Sequence, residues 1–242
     1  VTVTRLFVHA HPDDETLATG ALLVALTRSG QPCVVVTATR GEKGEVVPGP
    51  YSQLEGTAGL TEVREAELAT AVALLGVAAH GMLGEPPARA SGKAPRRYTD
   101  SGMRWVTPTL AGPGTHAGPD SLTAADLAEV RDDIVAAARW ARADALVSYA
   151  DDGGYGHPDH VRCHEATKAA ATLLGLPFEV IVTDPAVPYD TWHDLDESGV
   201  ASVIAAHEAY GTQFTVRDLE ITHVGGQVQD MVLGGGLRVE RD

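Results

Sequence analysis

Cysteine, basic charge and long apolar runs are all scarce in this chain. Only two cysteines occur in 242 residues, Cys33 in an apolar strand-like run and Cys163 in a helix-like one. That excludes a disulfide framework and a thiolate zinc site, and both read as buried, reduced thiols. Lysine and arginine total 18 against 33 aspartates and glutamates, a net charge of −15, which argues against general affinity for nucleic acid phosphates or anionic lipid. No stretch approaches the roughly 18 apolar residues of a membrane span, and the opening residues lack the basic and apolar regions of a secretory leader. A cytoplasmic protein without membrane insertion is expected. No linker, repeat or low-complexity tract divides the chain, and 44% apolar with 21% charged residues is ordinary for a globular fold. A single domain over residues 1–242 is therefore expected.

What is present is an alternation of short β-branched runs with longer stretches of helical period, the pattern of βαβ units around a parallel sheet. Strands are predicted over residues 6–10, 33–37, 78–83, 145–149 and 178–182. Helices are predicted over 14–29, 61–75, 122–142, 159–174 and 202–210, with some β structure after them. Residues 84–120 are rich in glycine and proline and almost without periodicity, and so long an irregular loop is usually functional or mobile. The fold class is α/β: a Rossmann-like, mostly parallel sheet with helices on both faces, whose ligand site belongs outside the carboxyl ends of the strands.

Polar clusters fall at those ends. His9-Ala10-His11-Pro12-Asp13-Asp14-Glu15 leaves the first strand, Arg40-Gly41-Glu42-Lys43-Gly44-Glu45 the second, and Asp151 to His160 the fourth. The tripeptide His-Pro-Asp occurs at 11–13 and again at 157–159, where composition alone would give about 0.04 copies. Proline turns the chain out of each strand, and an aspartate opens each helix where negative charge is favoured. His11 and Asp14, three apart across the turn, can face one ion, and His160 can close the set from the neighbouring loop. Two histidines, a carboxylate and an open position make a catalytic zinc site, with Asp13 beside it to take a proton from water. Spacing alone leaves the roles of Asp13 and Asp14 interchangeable. His-Glu-x-x-His, Gly-x-Ser-x-Gly, Gly-x-Gly-x-x-Gly and the P-loop are absent, which weakens peptidase, serine-hydrolase and nucleotide readings.

Ala10-His11-Pro12-Asp13-Asp14-Glu15 together with Gly156-His157-Pro158-Asp159-His160 resembles the PIG-L/LmbE-like family of zinc-dependent de-N-acetylases. Within it the match is nearest the mycothiol-pathway branch, the deacetylase of N-acetylglucosaminyl-inositol and the mycothiol S-conjugate amidase. The resemblance implies zinc, or another divalent ion such as Fe2+, on His11, Asp14 and His160, with Asp13 as general base. It implies His157 as general acid or oxyanion partner and Tyr155 as a second polariser of the carbonyl. Glu45, Arg64, Asp100, Met103 and Gln213 match positions that hold substrate hydroxyls. The expected reaction is removal of an acetyl group from an N-acetylglucosamine-type conjugate, a small-molecule substrate.

Three alternatives stand beside it. One is an amidase splitting a larger acyl group, although the family's amidases tend to place a lysine shortly after the first motif, where this chain reads Thr16-Leu17-Ala18-Thr19. The others are a tailoring deacetylase of a glycosylated natural product and a non-catalytic, metal-containing binding module. Arg64 has a plainer reading as an ion-pair partner of Glu67 on a solvated helix face. Asp159 is read as a supporting residue that accepts a hydrogen bond from His157. His9 and His164 are read as core or supporting residues, and His80, His116, His193 and His223 carry no spacing signal.

Overall fold

A computed structural model describes residues 2–115 and 117–241; Val1, His116 and Asp242 lie outside them, and with them the reading of His116 as ordinary. A seven-stranded sheet organises the chain, in the order β3-β2-β1-β6-β7-β12-β8. β1 (Arg5–His9), β2 (Cys33–Thr37), β3 (Ala79–Met82), β6 (Ala145–Ser148) and β7 (Phe178–Val182) are parallel neighbours. β12 (Gly234–Val239) runs antiparallel to β7 on one side and to β8 (Thr191–Asp194) on the other. The crossover order reverses between β1 and β6, so the crevice of such a sheet opens where these two strands end.

Alternation along β1 explains the two layers. Leu6 and Val8 join a core with α4 (Leu127–Ala141) and α5 (Pro158–Leu174), while Phe7 joins a second core with α2 (Gly20–Arg28), α3 (Ala58–Leu74) and α6 (Glu197–Glu208). Val34 and Val36 on β2 face the first core, and Cys33 and Val35 the second. A separate antiparallel sheet of β9 (Phe214–Arg217), β10 (Glu220–His223) and β11 (Val228–Asp230) follows α6. No helix among the described residues is long and apolar enough to cross a membrane.

Several predicted elements change at their ends, each for a local reason. The single helix expected over 14–29 is two, α1 (Asp14–Leu17) and α2, broken at Thr19, whose hydroxyl donates to the Glu15 carbonyl. The helix expected from 122 is a short 3-10 turn, Leu122–Ala124, followed by α4, which starts behind Asp126 as its carboxylate accepts the Ala128 amide at 2.8 Å. α6 likewise begins earlier than expected, capped by Asp196 on the amide of Gly199.

The irregular loop expected over 84–120 contains a hairpin, β4 (Met103–Thr107) with β5 (Leu110–Pro113), whose mostly exposed β4 has no apolar alternation to betray it. The preceding part of the loop is irregular but anchored. Asp133 of α4, fully buried, accepts hydrogen bonds from the Tyr98 hydroxyl at 2.7 Å, Arg89 Nη1 at 2.8 Å and the Ala90 amide at 2.7 Å.

Candidate metal centre

Because β1 and β6 are neighbours, the two His-Pro-Asp turns beyond their carboxyl ends meet. One Asp14 carboxylate spans the two histidines expected from the sequence: Oδ2 lies 3.3 Å from His11 Nδ1, and Oδ1 lies 3.2 Å from His160 Nε2. Each imidazole is held from behind. His11 Nε2 faces Asp159 Oδ2 at 3.2 Å, and His160 Nδ1 faces the Gly153 carbonyl at 3.1 Å. Donating those N–H groups leaves lone pairs on His11 Nδ1 and His160 Nε2, both toward Asp14. His160 Nε2 is buried and makes no hydrogen bond.

His157 joins the two histidines. Ring nitrogens of His11, His157 and His160 all lie within 4.8 Å of one another, as do donor atoms of His11, Asp100, His157 and Asp159. His157 Nδ1 accepts the Asp159 backbone amide at 3.1 Å, so the neutral ring carries its proton on Nε2. Burial, with His11 and His160 adjacent, pushes its pKa down to about 3. The expectation that the Asp159 carboxylate accepts from His157 is thereby corrected. It is the Asp159 amide that meets His157, while the carboxylate accepts from His11 and from the Ser101 amide at 2.9 Å.

The electrostatics call for a cation. Burial opposes charge on His11, yet Asp100, Asp14 and Asp159 outweigh it and hold the imidazole well above its ordinary pKa. Burial also opposes charge on Asp14, and His160 and His11 overcome it to bring that carboxyl well below its usual range. Burial and the neighbouring Asp14 push Asp13 well above it. A pocket whose carboxylates favour positive charge at His11, and in which the buried His160 Nε2 makes no hydrogen bond, fits a divalent ion.

The remaining expected residues divide. Asp13 caps α1 with φ 108° and ψ −32°, a rare backbone for a residue with a side chain. Tyr155 packs edge-on to His160, with centroids 5.1 Å apart, and its carbonyl accepts the Ala111 amide of β5 at 2.7 Å. Asp100 Oδ1 comes within 3.8 Å of His11 Nε2, Met103 opens β4 and Glu45 is exposed. Arg64 does not lie on a solvated face beside Glu67. It is buried, with its guanidinium donating to the carbonyls of Gly41 and, at 3.1 Å, Glu45. Gln213 Nε2 donates to the Pro12 carbonyl at 2.6 Å.

Tyr149 is legible in the sequence only as the end of a strand, yet it touches the centre at several points. Its ring stacks on His160, with centroids 4.1 Å apart, and its hydroxyl accepts the Ala10 amide at 2.9 Å and faces His9 Nδ1 at 3.3 Å. His9 Nε2 in turn meets the Thr19 hydroxyl, and His164 Nδ1 meets the Tyr149 carbonyl. An aromatic residue just before a glycine-rich loop gives no spacing signal, so this support needed the structure.

A family model described as GlcNAc-PI de-N-acetylase (PIG-L) matches residues 6–171. A 1D-myo-inositol 2-acetamido-2-deoxy-alpha-D-glucopyranoside deacetylase of Kineococcus radiotolerans is 47% identical over 168 residues, covering 69% of this chain and 44% of that protein. The chain spans about half the length of the curated relatives it matches. Among solved structures, the zinc inhibited form of teicoplanin deacetylase Orf2 superposes with a TM-score of 0.56 at 21% identity, covering 86% of this chain and 84% of that one. The 4-carboxy-2-hydroxymuconate hydratase GalB of Pseudomonas putida KT2440 superposes with 0.57 at 14%, covering 100% and 97%. Both likenesses are of fold; the second shows that the fold also carries a different reaction, so the chemistry must be argued from the side chains.

Proposed function

The chain belongs to the GlcNAc-PI de-N-acetylase (PIG-L) family, and from that premise we propose a divalent-metal-dependent hydrolase that removes the acetyl group from an N-acetylglucosamine-type conjugate. The observation that carries this reading is the meeting of both His-Pro-Asp turns around Asp14, with His11 Nδ1 and His160 Nε2 each within 3.3 Å of its carboxylate. His11, Asp14 and His160 would hold the ion; zinc suits two imidazoles and a carboxylate, and ferrous ion the same donors. When bound, such an ion supplies Lewis acidity at the amide oxygen and lowers the pKa of water.

The chain's own residues supply the rest. Asp13 accepts the proton of the attacking water as the new C–O bond forms at the amide carbon. His157, neutral with its proton on Nε2, donates a hydrogen bond to the oxygen where charge develops, and Tyr155 offers a second donor. The C–N bond then breaks, the amine nitrogen takes the proton that Asp13 held, and acetate and a free amino sugar leave. Asp100, Glu45 and Met103 come from the two segments facing this centre and are assigned to the acceptor sugar. Trp105 of the hairpin is half exposed, with its ring 5.9 Å from that of Tyr155. We assign it to the part of the substrate beyond the amino sugar, as a flat apolar face. A cytoplasmic location is supported by Cys33 and Cys163, both free and buried.

The deciding experiment measures amine release from acetylated amino sugars carrying progressively larger aglycones, before and after chelation and re-addition of zinc or ferrous ion. We expect release that chelation abolishes and about one equivalent of metal restores. No release from any of them, with metal bound stoichiometrically, would support the binding-module reading instead.

A further inference from the structure

Glu15 is wholly buried and pairs with no cation among the described residues, an expensive state for a carboxylate. Its Oε1 accepts from the Tyr210 hydroxyl at 2.7 Å and from the Thr16 hydroxyl, and its Oε2 accepts the backbone amide of Asp13 at 3.2 Å. Tyr210 is itself fully buried, just beyond α6. Three residues later Gln213 Nε2 donates to the carbonyl of Pro12. The amide of Asp13 and the carbonyl of Pro12 are the two polar atoms of one peptide bond. Residues 210–213, almost 200 positions away in sequence, thus engage both of its ends, one directly and one through Glu15.

The orientation of that peptide sets the backbone of Asp13. Three residues other than glycine have positive φ among the described residues, and two of them, Arg142 at 51° and Asp218 at 54°, sit in the ordinary left-handed well. Asp13, at 108°, lies beyond it. Flipping the plane of the Pro12–Asp13 peptide would change this φ by about half a turn, to roughly −70°, a relaxed value for any residue. The unflipped state is strained and persists only if its surroundings impose it. In the flipped state the Pro12 carbonyl would turn toward the Glu15 carboxylate and the Asp13 amide away from it.

We infer that Tyr210 and Gln213 are positioning residues, a clamp that holds the Pro12–Asp13 peptide in its strained orientation and so aims the Asp13 carboxylate. Gln213 thereby acts on the backbone, not on substrate hydroxyls as the resemblance implied. The clamp rests on the function proposed above for its effect on rate, but not for its effect on backbone conformation. Glu67 secures the same segment, accepting the amide and hydroxyl of Thr212 at 2.8 and 2.6 Å.

The test uses Tyr210→Phe, Gln213→Ala and the double variant in the full chain, assayed well below their melting temperatures. Each single variant is expected to lower kcat by about tenfold to a hundredfold, with KM within about twofold and metal content unchanged. Because both act on one peptide, the double variant should lose less than the product of the single losses. A raised KM at constant kcat for Gln213→Ala would overturn the inference in favour of a substrate contact. Unchanged kcat with a lowered Tm would overturn it in favour of a purely structural role. A crystal structure of the double variant gives an arm independent of activity: Asp13 should relax to negative φ, and retention of φ near 108° would overturn the clamp even if the wild-type chain deacetylates nothing.

Discussion

The phenol ring of Tyr149 lies nearly flat on the imidazole of His160, with planes 14° apart and centroids at 4.1 Å. On the other flank Gly153, with φ 68°, brings its carbonyl to His160 Nδ1 and leaves no room for a side chain, since a Cβ there would lie 2.8 Å from His160 Cβ. The histidine is fixed in rotation and tautomer by a ring and a backbone oxygen before any ion arrives. Gly153→Ala should therefore weaken metal affinity about tenfold to a hundredfold, measured by competition with a chelator of known affinity, while His160→Ala should lose metal and activity together.

The two carboxylates of the first motif should separate in one pair of assays. Asp13→Asn is expected to abolish turnover while metal content, measured by mass spectrometry, stays near wild type, because among the described residues no imidazole pairs with that carboxylate as His11 and His160 do with Asp14. Asp14→Asn should purify with little metal. The reverse pattern would exchange their roles.

Arg64 should behave as a scaffold for the loop after β2. Removing its guanidinium leaves the buried Gly41 carbonyl without a donor, at a cost of about 1–3 kcal/mol, and frees the part-buried Glu45 carbonyl as well. Arg64→Ala should lower activity equally on a glycosylated amide and on a small activated acetamide, and reduce Tm. Gly44→Ala should do the same, since a Cβ there would sit 2.7 Å from Arg64 Nη2. A loss confined to the glycosylated substrate would return Arg64 to the sugar.

Trp105 should show the opposite selectivity. Trp105→Ala is expected to raise KM about three- to tenfold for substrates with a large aglycone and to leave the simple acetylated sugar unchanged, since the residue is half exposed and outside both cores. Equal effects on both substrates would show that it acts through Tyr155.

His80 on β3 gives a pH signature away from the centre. Burial, with Arg40 adjacent, pushes its pKa down to about 4, and Nε2 faces the Thr37 hydroxyl at 3.2 Å. The unfolded chain binds this proton more readily, so the contribution to stability is complete above about pH 6.5 and is lost as pH falls toward 4. At about 1.4 kcal/mol per pH unit the loss is about 3 kcal/mol. Urea unfolding between pH 7 and 4 should fall less steeply for His80→Gln than for the parent chain.

The sequence is most legible where local chemistry and periodicity agree. The parallel strands announce themselves as β-branched runs, and a repeated tripeptide at two strand ends locates His11, Asp14, His157 and His160. What stays hidden depends on contacts between distant segments. Nothing near Arg64 shows that its partners are the carbonyls of Gly41 and Glu45, and nothing near Gln213 shows that it reaches Pro12. The β4–β5 hairpin escapes because its exposed face carries no burial pattern, and Asp133 because a buried carboxylate on a helix reads as a solvated one until Tyr98 and Arg89 come to it.

The position of β12 sets an order of events for biosynthesis. It lies between β7 and β8, so β8 has no partner in the sheet until residues 234–239 have emerged from the ribosome. Until then β7 presents a free edge of apolar Phe178, Val180 and Val182, the kind of template on which unfinished chains stick to one another. The family model matches residues 6–171, short of β7, β8 and β12, so an excised fragment of that span would lack all three. Chains stalled before residue 234 should be the ones that chaperones hold.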